Sequence, residues 1–171
     1  INPTNPHVDY AYYLIGLANY NRGFSFLERF MPIDSAQRDP ANTKVAFESF
    51  EELVRRFPNS RYVPDATKRM TALRNSLAMH EIHVARFYFD REAYIAAANR
   101  GSYVVENFQR TPAVPYALQI MQQAYAKLGL TKLANDAARV YALNYPDGAP
   151  IPELSQSSFA YKVWDFLGFD K

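Results

Sequence analysis

Residues 57–66 read Phe-Pro-Asn-Ser-Arg-Tyr-Val-Pro-Asp-Ala, and residues 108–117 read Phe-Gln-Arg-Thr-Pro-Ala-Val-Pro-Tyr-Ala. The two stretches match at a separation of 51 residues, and the match continues upstream. A third copy ends 37 residues further on, at Tyr145-Pro146. The upstream matches are Ala46 with Ala97 and Ala134, and Leu53 with Val104 and Tyr141. A unit that recurs at such periods predicts a protein built from stacked supersecondary elements.

Helical periodicity fills the segments between the prolines. In residues 41–57, apolar side chains recur at Ala46, Phe50, Leu53 and Phe57, which is the spacing of one helix face. Asp39-Pro40 predicts the start of that helix, because Asp caps free N–H groups and proline is tolerated in the first turn. We predict no strands. The predicted helices are 7–22, 40–57, 61–89, 91–108, 112–128 and 131–145, with a further one at 156–167.

The residue types of the repeats favour the tetratricopeptide (TPR) pattern. A small residue, then a large and an apolar one, with an aromatic residue and proline at the end of the second helix, is typical of TPR repeats. Gly101 and Gln109 depart from it, since a large residue and a proline are usual there. Two helices can cross closely only where side chains are small. We therefore expect helix contacts at Gly16, Ala46, Ala85, Ala97 and Ala134.

These observations predict an all-α fold, a TPR-like helix-turn-helix solenoid with an extra C-terminal helix. We expect three repeats, at about residues 6–58, 61–110 and 111–147, and then a Pro-rich linker and helix in 148–171. The loop 23–39 is either functional or an Ω-loop that packs its own aromatic side chains. The last helix is either a terminal cap of the solenoid or a helix that binds in a groove of another subunit. Its apolar stripe is Phe159, Val163, Phe166 and Leu167.

Composition excludes several classes of protein. The chain has 171 residues, of which 49% are hydrophobic and 21% charged, so wholesale disorder is excluded. A net charge of +2 gives no support to nucleic-acid binding. Without cysteine, the chain can form neither a disulfide nor a thiolate metal site. No apolar stretch approaches the roughly 18 residues of a membrane span. The chain begins at Ile1 without Met, so we interpret it as a fragment or a processed form.

Motifs for catalysis are lacking in the sequence. His80 and His83 share a helix face, but their spacing is not that of a His-Glu-x-x-His zinc site, and we predict neither a metal nor a cofactor. There is no Gly-rich phosphate loop and no Gly-x-Ser-x-Gly nucleophile motif. Acidic residues could still pair in space like the carboxylates of a glycosidase, although solvated helix faces are the simpler interpretation. Those residues are Asp34, Asp39, Glu51 and Glu52. We expect a protein that is not an enzyme.

Beyond the TPR pattern, roughly residues 1–147 resemble the BamD (ComL) family, TPR lipoproteins of the outer-membrane β-barrel assembly (BAM) machine of Gram-negative bacteria. The runs that carry the resemblance are Asn2-Pro3-Thr4-Asn5-Pro6, Val8-Asp9-Tyr10, Arg38-Asp39-Pro40, Phe57-Pro58-Asn59-Ser60, Asp65-Ala66-Thr67-Lys68-Arg69 and Asn99-Arg100. The resemblance implies that these are the C-terminal three of five repeats. The other repeats and a lipidated cysteine would then precede Ile1, so the membrane anchor is expected outside this chain.

The resemblance also implies a function at the periplasmic face of the outer membrane. In this family the C-terminal repeats dock the POTRA domain nearest the barrel of the central assembly subunit, and the matching basic residue is Arg100. Its guanidinium could bind a partner carboxylate with two hydrogen bonds, or it could be solvated or paired within the chain. We include Asn99, Tyr94 and Arg91 in the expected partner surface. Other BAM lipoproteins and nascent outer-membrane proteins are possible further partners.

Two other functions stay open from the residues. One is a generic TPR module or periplasmic cochaperone that holds extended peptides in the concave groove of the solenoid. The other is a helical enzyme such as a cell-wall hydrolase, for which no motif is found. The first predicts binding in the groove, whereas the scaffold hypothesis predicts binding at Arg100 and the neighbouring helix faces.

Overall fold

The computed structural model describes residues 7–22 and 40–148, and these form six helices without any strand. The helices are α1 (Val8–Arg22), α2 (Pro40–Arg56), α3 (Val63–Asp90), α4 (Tyr94–Asn107), α5 (Val114–Lys127) and α6 (Thr131–Asn144). The prediction of an all-α fold is confirmed, and the predicted helix bounds agree within three residues. The loop 23–39, the cap at Asp39 and the predicted helix 156–167 lie outside the described residues.

The packing order is that of a TPR-like solenoid. Each helix packs against the next one in the chain, and α3 also packs against α5. The first helix of one pair therefore contacts the first helix of the following pair, as stacked repeats require. Chain order thus becomes spatial order, and most of the apolar burial occurs between neighbours in sequence.

Helix α3 belongs to two hydrophobic clusters. Its 28 residues span about 42 Å at 1.5 Å per residue. Ala66 and Leu73, in its first half, are buried with Phe50 and Leu53 of α2. Its second half enters a different cluster with α4 and α5, through Ala78, Ile82 and Ala85. The length of α3 accounts for the 51-residue repeat spacing and joins the two clusters with continuous backbone.

Small residues lie where helices cross, as predicted. The four predicted alanines are all buried, and so is Gly16. A Cβ atom at Gly16 would lie 2.4 Å from the Phe50 ring, so the glycine lets α1 approach α2. Gly101, which departs from the TPR pattern, also has a structural reason. A Cβ there would lie 2.7 Å from Met121 and 3.0 Å from the backbone oxygen of Ala117, both on α5.

A polar cluster joins α1 to the start of α3. The Tyr13 hydroxyl donates to Asp65 over 2.6 Å, and Arg69 Nε donates to the same carboxylate over 2.6 Å. The hydrogen bond from Arg69, and then that from Tyr13, lowers the pKa of Asp65. The same hydrogen bond to Asp65 raises the pKa of Tyr13. Arg69 also lies over the Tyr20 ring, 5.0 Å from its centroid, so one guanidinium contacts both helices.

Gly16→Ala should lower the free energy of unfolding, although alanine is the better helix former. Overpacking a buried contact costs about 1–3 kcal/mol, against about 1 kcal/mol gained in helix propensity. Chemical denaturation monitored by circular dichroism measures the change. In the Gly16→Ala background, Phe50→Leu should restore part of the lost free energy of unfolding, because it removes the ring that would clash with the new methyl group. A double variant whose loss equals the sum of the two single losses would contradict the contact.

Asp65→Asn should weaken the dependence of stability on acid pH. The pKa of Asp65 is lower in the folded protein than its unfolded value of 3.8. The stabilisation that the carboxylate contributes is therefore complete above the unfolded pKa and disappears as the pH falls through the folded pKa. The carboxylate is 44% exposed, so screening limits this contribution to about 1 kcal/mol. Urea unfolding between pH 7 and pH 2 should give a shallower acid decline for the variant. An unchanged decline would show that this carboxylate does not couple folding to protonation.

Candidate functional site

The predicted partner residues lie at the end of α3 and in the first half of α4. Arg91 directly follows α3, Tyr94 begins α4, and Asn99 and Arg100 lie on its exposed side. The sequence prediction therefore falls on one corner of the molecule, where the second pair of helices turns back on itself.

The turn at this corner is a Schellman motif. The N–H of Glu92 donates to the carbonyl of Phe89, and the N–H of Ala93 donates to that of Tyr88. Glu92 occupies the left-handed region with a φ of 61°. The turn between α5 and α6 has the same two bonds, with Gly129 at the left-handed position, 37 residues later. The backbone thus fixes how Arg91 and Tyr94 are presented.

An arginine and an exposed aromatic ring form one edge of the corner. Arg91 lies over Phe87, with 3.7 Å between the guanidinium carbon and the ring centroid. Phe87 is 50% exposed and also contacts Tyr88 edge-on. The N–H groups of a stacked guanidinium point outward in the plane of the guanidinium and not at the aromatic face. They can therefore still donate hydrogen bonds to an acidic partner.

An open groove of about 410 Å³ lies beside the turn. Its lining residues are Glu92, Ala93, Tyr94, Ile95, Ala96, Asn99 and Leu128. Tyr94 is half-buried and packs edge-on against Phe89, which fixes its ring. Ile95 is 65% exposed, a large value for a branched apolar side chain in a helix. Exposed apolar groups inside a polar rim are typical of protein-binding surfaces.

Arg100 is held by an ion pair across two helices. Its Nη1 atom donates to Glu81 Oε2 of α3 over 3.1 Å. The Glu81 side chain is only 19% exposed, whereas that of Arg100 is 44% exposed. The intramolecular pairing considered for Arg100 is therefore present. Because a guanidinium has five N–H donors, one bond to Glu81 leaves others for a second carboxylate.

The four predicted residues divide into three local arrangements. Tyr94 and Asn99 share the groove, Arg91 lies on Phe87, and Arg100 is paired with Glu81. Phe87, Ile95, Leu128 and Glu81 were not predicted. Phe87 and Ile95 could have been found, because each falls outside the buried positions of its own helix. The pair between Arg100 and Glu81 joins residues 19 positions apart on different helices, so periodicity does not show it.

Glu52, one of the candidate catalytic carboxylates, lies in surroundings that disfavour the protonated form which a catalytic acid needs. Glu52 accepts hydrogen bonds from Arg55 and Arg56, and the bond from Arg55, first among the causes, lowers the pKa of Glu52. A glycosidase acid needs a raised pKa instead. Asp34 and Asp39 lie outside the described residues.

Within residues 7–22 and 40–148, no three His, Asp or Glu side chains are placed to hold a metal ion. In the same residues, no helix combines the length and apolarity needed to cross a membrane.

Comparison with known proteins gives one consistent family. The model of the YfiO family, described as an outer membrane lipoprotein, matches residues 1–140. Outer membrane protein assembly factor BamD of Neisseria meningitidis serogroup A is 45% identical over 146 residues, 85% of this chain and 55% of that protein. The same factor of Haemophilus influenzae is 41% identical over 140 residues, 82% of this chain and 53% of that protein. The chain spans about half the length of these curated relatives.

Glu92→Gly should stabilise the corner. A non-glycine residue in the left-handed region costs roughly 1 kcal/mol, and the equivalent turn has Gly129 with a φ of 73°. Thermal unfolding should show a higher midpoint for the variant. Glu106→Gly, at an exposed position within α4, is the matched control and should destabilise by about 1 kcal/mol. A loss of stability from Glu92→Gly comparable with that of the control would contradict the assignment of strain to this residue.

Proposed function

The chain belongs to the YfiO (BamD) family of outer membrane lipoproteins, and on this basis we propose that it is a non-enzymatic scaffold of outer-membrane β-barrel assembly. Its relatives are named outer membrane protein assembly factors. We propose further that these repeats dock the POTRA region of the central barrel subunit, through the corner formed by α3 and α4. The proposed location is the periplasmic face of the outer membrane, with a lipid anchor on a segment that precedes this chain.

The observation that best supports docking is the composition of the corner. Arg91 stacks on Phe87 beside the turn, the groove next to it contains the exposed Ile95, and Arg100 is paired with Glu81 further along α4. Arginine and aromatic residues dominate binding energy at protein interfaces, whereas apolar neighbours exclude water from them. A folded domain with an acidic residue beside an apolar contact would match this surface.

Glu81 gives Arg100 a defined orientation before a partner binds. A long side chain that is already ordered loses less conformational freedom on association, and this favours affinity. The second carboxylate would come from the POTRA domain and would share the guanidinium with Glu81. We therefore propose a positioning role for Glu81 and a direct contact for Arg100.

The repeat boundaries fit this scaffold. The proposed units pair α1 with α2, α3 with α4, and α5 with α6. The corner lies in the middle unit, so it is supported by packing on both sides. Other BAM lipoproteins and nascent outer-membrane proteins are further proposed partners.

Arg100→Glu should abolish binding to the barrel-proximal POTRA domain. Reversing a charge that is paired at an interface costs about 2–5 kcal/mol, which corresponds to a 30-fold or greater loss of affinity. Isothermal titration calorimetry with the 171-residue chain measures the loss. Arg139→Glu is the matched control, because Arg139 pairs with Asp136 in α6, away from the corner. The control should bind like the unmodified chain.

The exchanged variant Glu81→Arg with Arg100→Glu separates the two roles of Arg100. It restores an internal ion pair, so the fold should recover while binding stays lost. Recovery of binding would mean that Arg100 acts only within the chain and would contradict the direct contact. A well-folded unmodified chain that fails to bind the POTRA domain would contradict docking by these repeats. Binding that is insensitive to the corner, and competed by extended peptides, would favour the peptide-binding alternative.

A further inference from the structure

A second apolar groove lies over the middle of α3. Helices α2 and α4 both pack on α3, and there is no comparable packing between α2 and α4 themselves. The length of α3 holds them apart, because α2 covers its first half and α4 its second half. The opening that results has a volume of about 190 Å³, and we call it the second groove. Its lining residues are Phe47, Arg74, Leu77, Asn107 and Phe108.

The size and lining of the second groove suit a side chain of another protein. Its volume is smaller than the roughly 300–1,000 Å³ that is typical of small-molecule sites. Phe47, Leu77 and Phe108 come from three different elements, and each is half-buried. The Phe108 ring is supported edge-on by Tyr103, with 5.8 Å between the ring centroids. A small apolar groove with supported walls is where a single anchoring side chain contributes most to an interface.

Arg74 is oriented at the rim of the second groove by the end of α4. Its Nη2 atom donates to the carbonyl oxygen of Asn107, the last residue of α4, over 3.0 Å. The last carbonyls of a helix lack partners within the helix and favour a cation nearby. No carboxylate of the described residues forms an ion pair with Arg74. Because a guanidinium has five N–H donors, this exposed arginine can also bind a carboxylate of a partner.

Helix α3 connects the second groove to the docking corner. Arg74, Leu77 and Glu81 are spaced three and four residues apart, so they lie on one face of α3. Glu81 is the residue that pairs with Arg100. At 1.5 Å per residue, Arg74 and Glu81 are only about 10 Å apart along the helix axis. A molecule that contacts Arg100 therefore reaches the second groove along the same face.

Helix α4 has a matching exposed stripe. Ile95, Asn99, Tyr103 and Asn107 follow one another at intervals of four residues, and all four are exposed. Ile95 and Asn99 line the groove at the corner, whereas Asn107 lines the second groove. The stripe is about 18 Å long at 1.5 Å per residue. A standard interface covers about 800 Å² of each partner, so one folded domain can contact both grooves.

We propose that the domain that docks at the corner also inserts an apolar side chain into the second groove and places a carboxylate on Arg74. The occupant is an apolar residue beside an acidic one on the surface of that domain. Arg100 then lies between the two grooves, at the centre of the interface, where arginine contributes most to binding. This inference rests on the proposed function, because it assigns the second groove to the same partner.

Protection of an introduced thiol locates the partner without depending on a loss of affinity. The chain has no cysteine, so Asn107→Cys creates a single reactive thiol at the second groove. A saturating amount of the barrel-proximal POTRA domain should slow its reaction with a maleimide about tenfold or more, because an interface excludes solvent. Lys68→Cys is the matched control. Lys68 is also exposed but lies on another face of α3, so the reaction rate of its replacement should be unchanged.

Arg74→Glu tests the proposed carboxylate contact. It should lower the affinity for the POTRA domain about tenfold, because it places like charges together at the interface. Isothermal titration calorimetry measures the change, and circular dichroism checks that the helices are retained. Lys68→Glu makes the same change of charge on another face of α3, and it should bind like the unmodified chain.

The other outcomes separate this inference from the proposed function. Binding that Arg100→Glu abolishes, while Arg74→Glu has no effect and Asn107→Cys is unprotected, would overturn the second groove but not the corner. Protection of Asn107→Cys without an effect of Arg74→Glu would contradict the acidic occupant. A complete lack of binding by the unmodified chain would overturn both proposals. Protection by an extended peptide alone, or by a higher concentration of the chain itself, would assign the groove to a peptide or to a second copy.

Discussion

The unbroken backbone of α3 is the constraint on which the rest of the structure depends. Its first half is buried against α1 and α2, and its second half against α4 and α5. Among the described helices, α3 alone enters both clusters. Because helical hydrogen bonds run through the middle of α3, a rotation of one cluster relative to the other would distort this helix. The relative placement of the repeats is therefore set by one element.

The candidate site inherits its geometry from the same helix. Phe87 and Glu81 lie on α3, whereas Arg100 and Ile95 lie on α4, and the Schellman turn at Glu92 joins the two. Close approach of α4 to α5 at Gly101 supports the corner from the other side. Repeat packing thus presents arginines and apolar groups on backbone that is rigid on both sides. A scaffold needs this property, because binding then requires little ordering of the surface.

Sequence reasoning predicted the helices because their apolar periodicity and their prolines are local signals. It also predicted the close contacts at Gly16 and the alanines, since small side chains at helix crossings follow from repeat geometry. The need for glycine at position 101 could not be predicted, because it arises from the close approach of the Ala117 carbonyl on another helix. For the same reason, the sequence indicated that Arg100 could pair within the chain but did not identify Glu81 as its partner. The proposed contact of Arg100 with a partner carboxylate involves a second molecule, so neither helical periodicity nor packing within the chain specifies it.

The central claim, that α3 makes the two clusters one structural unit, is tested most directly by native-state hydrogen exchange in increasing denaturant. The buried amides of Leu53 and Val104 report the first and the second cluster, and the amides of residues 74–80 report the middle of α3. We predict that all three sets exchange with the same free energy of opening and the same dependence on denaturant, because they open together. Separate free energies for Leu53 and Val104, with lower protection in the middle of α3, would contradict the claim and show two independent units.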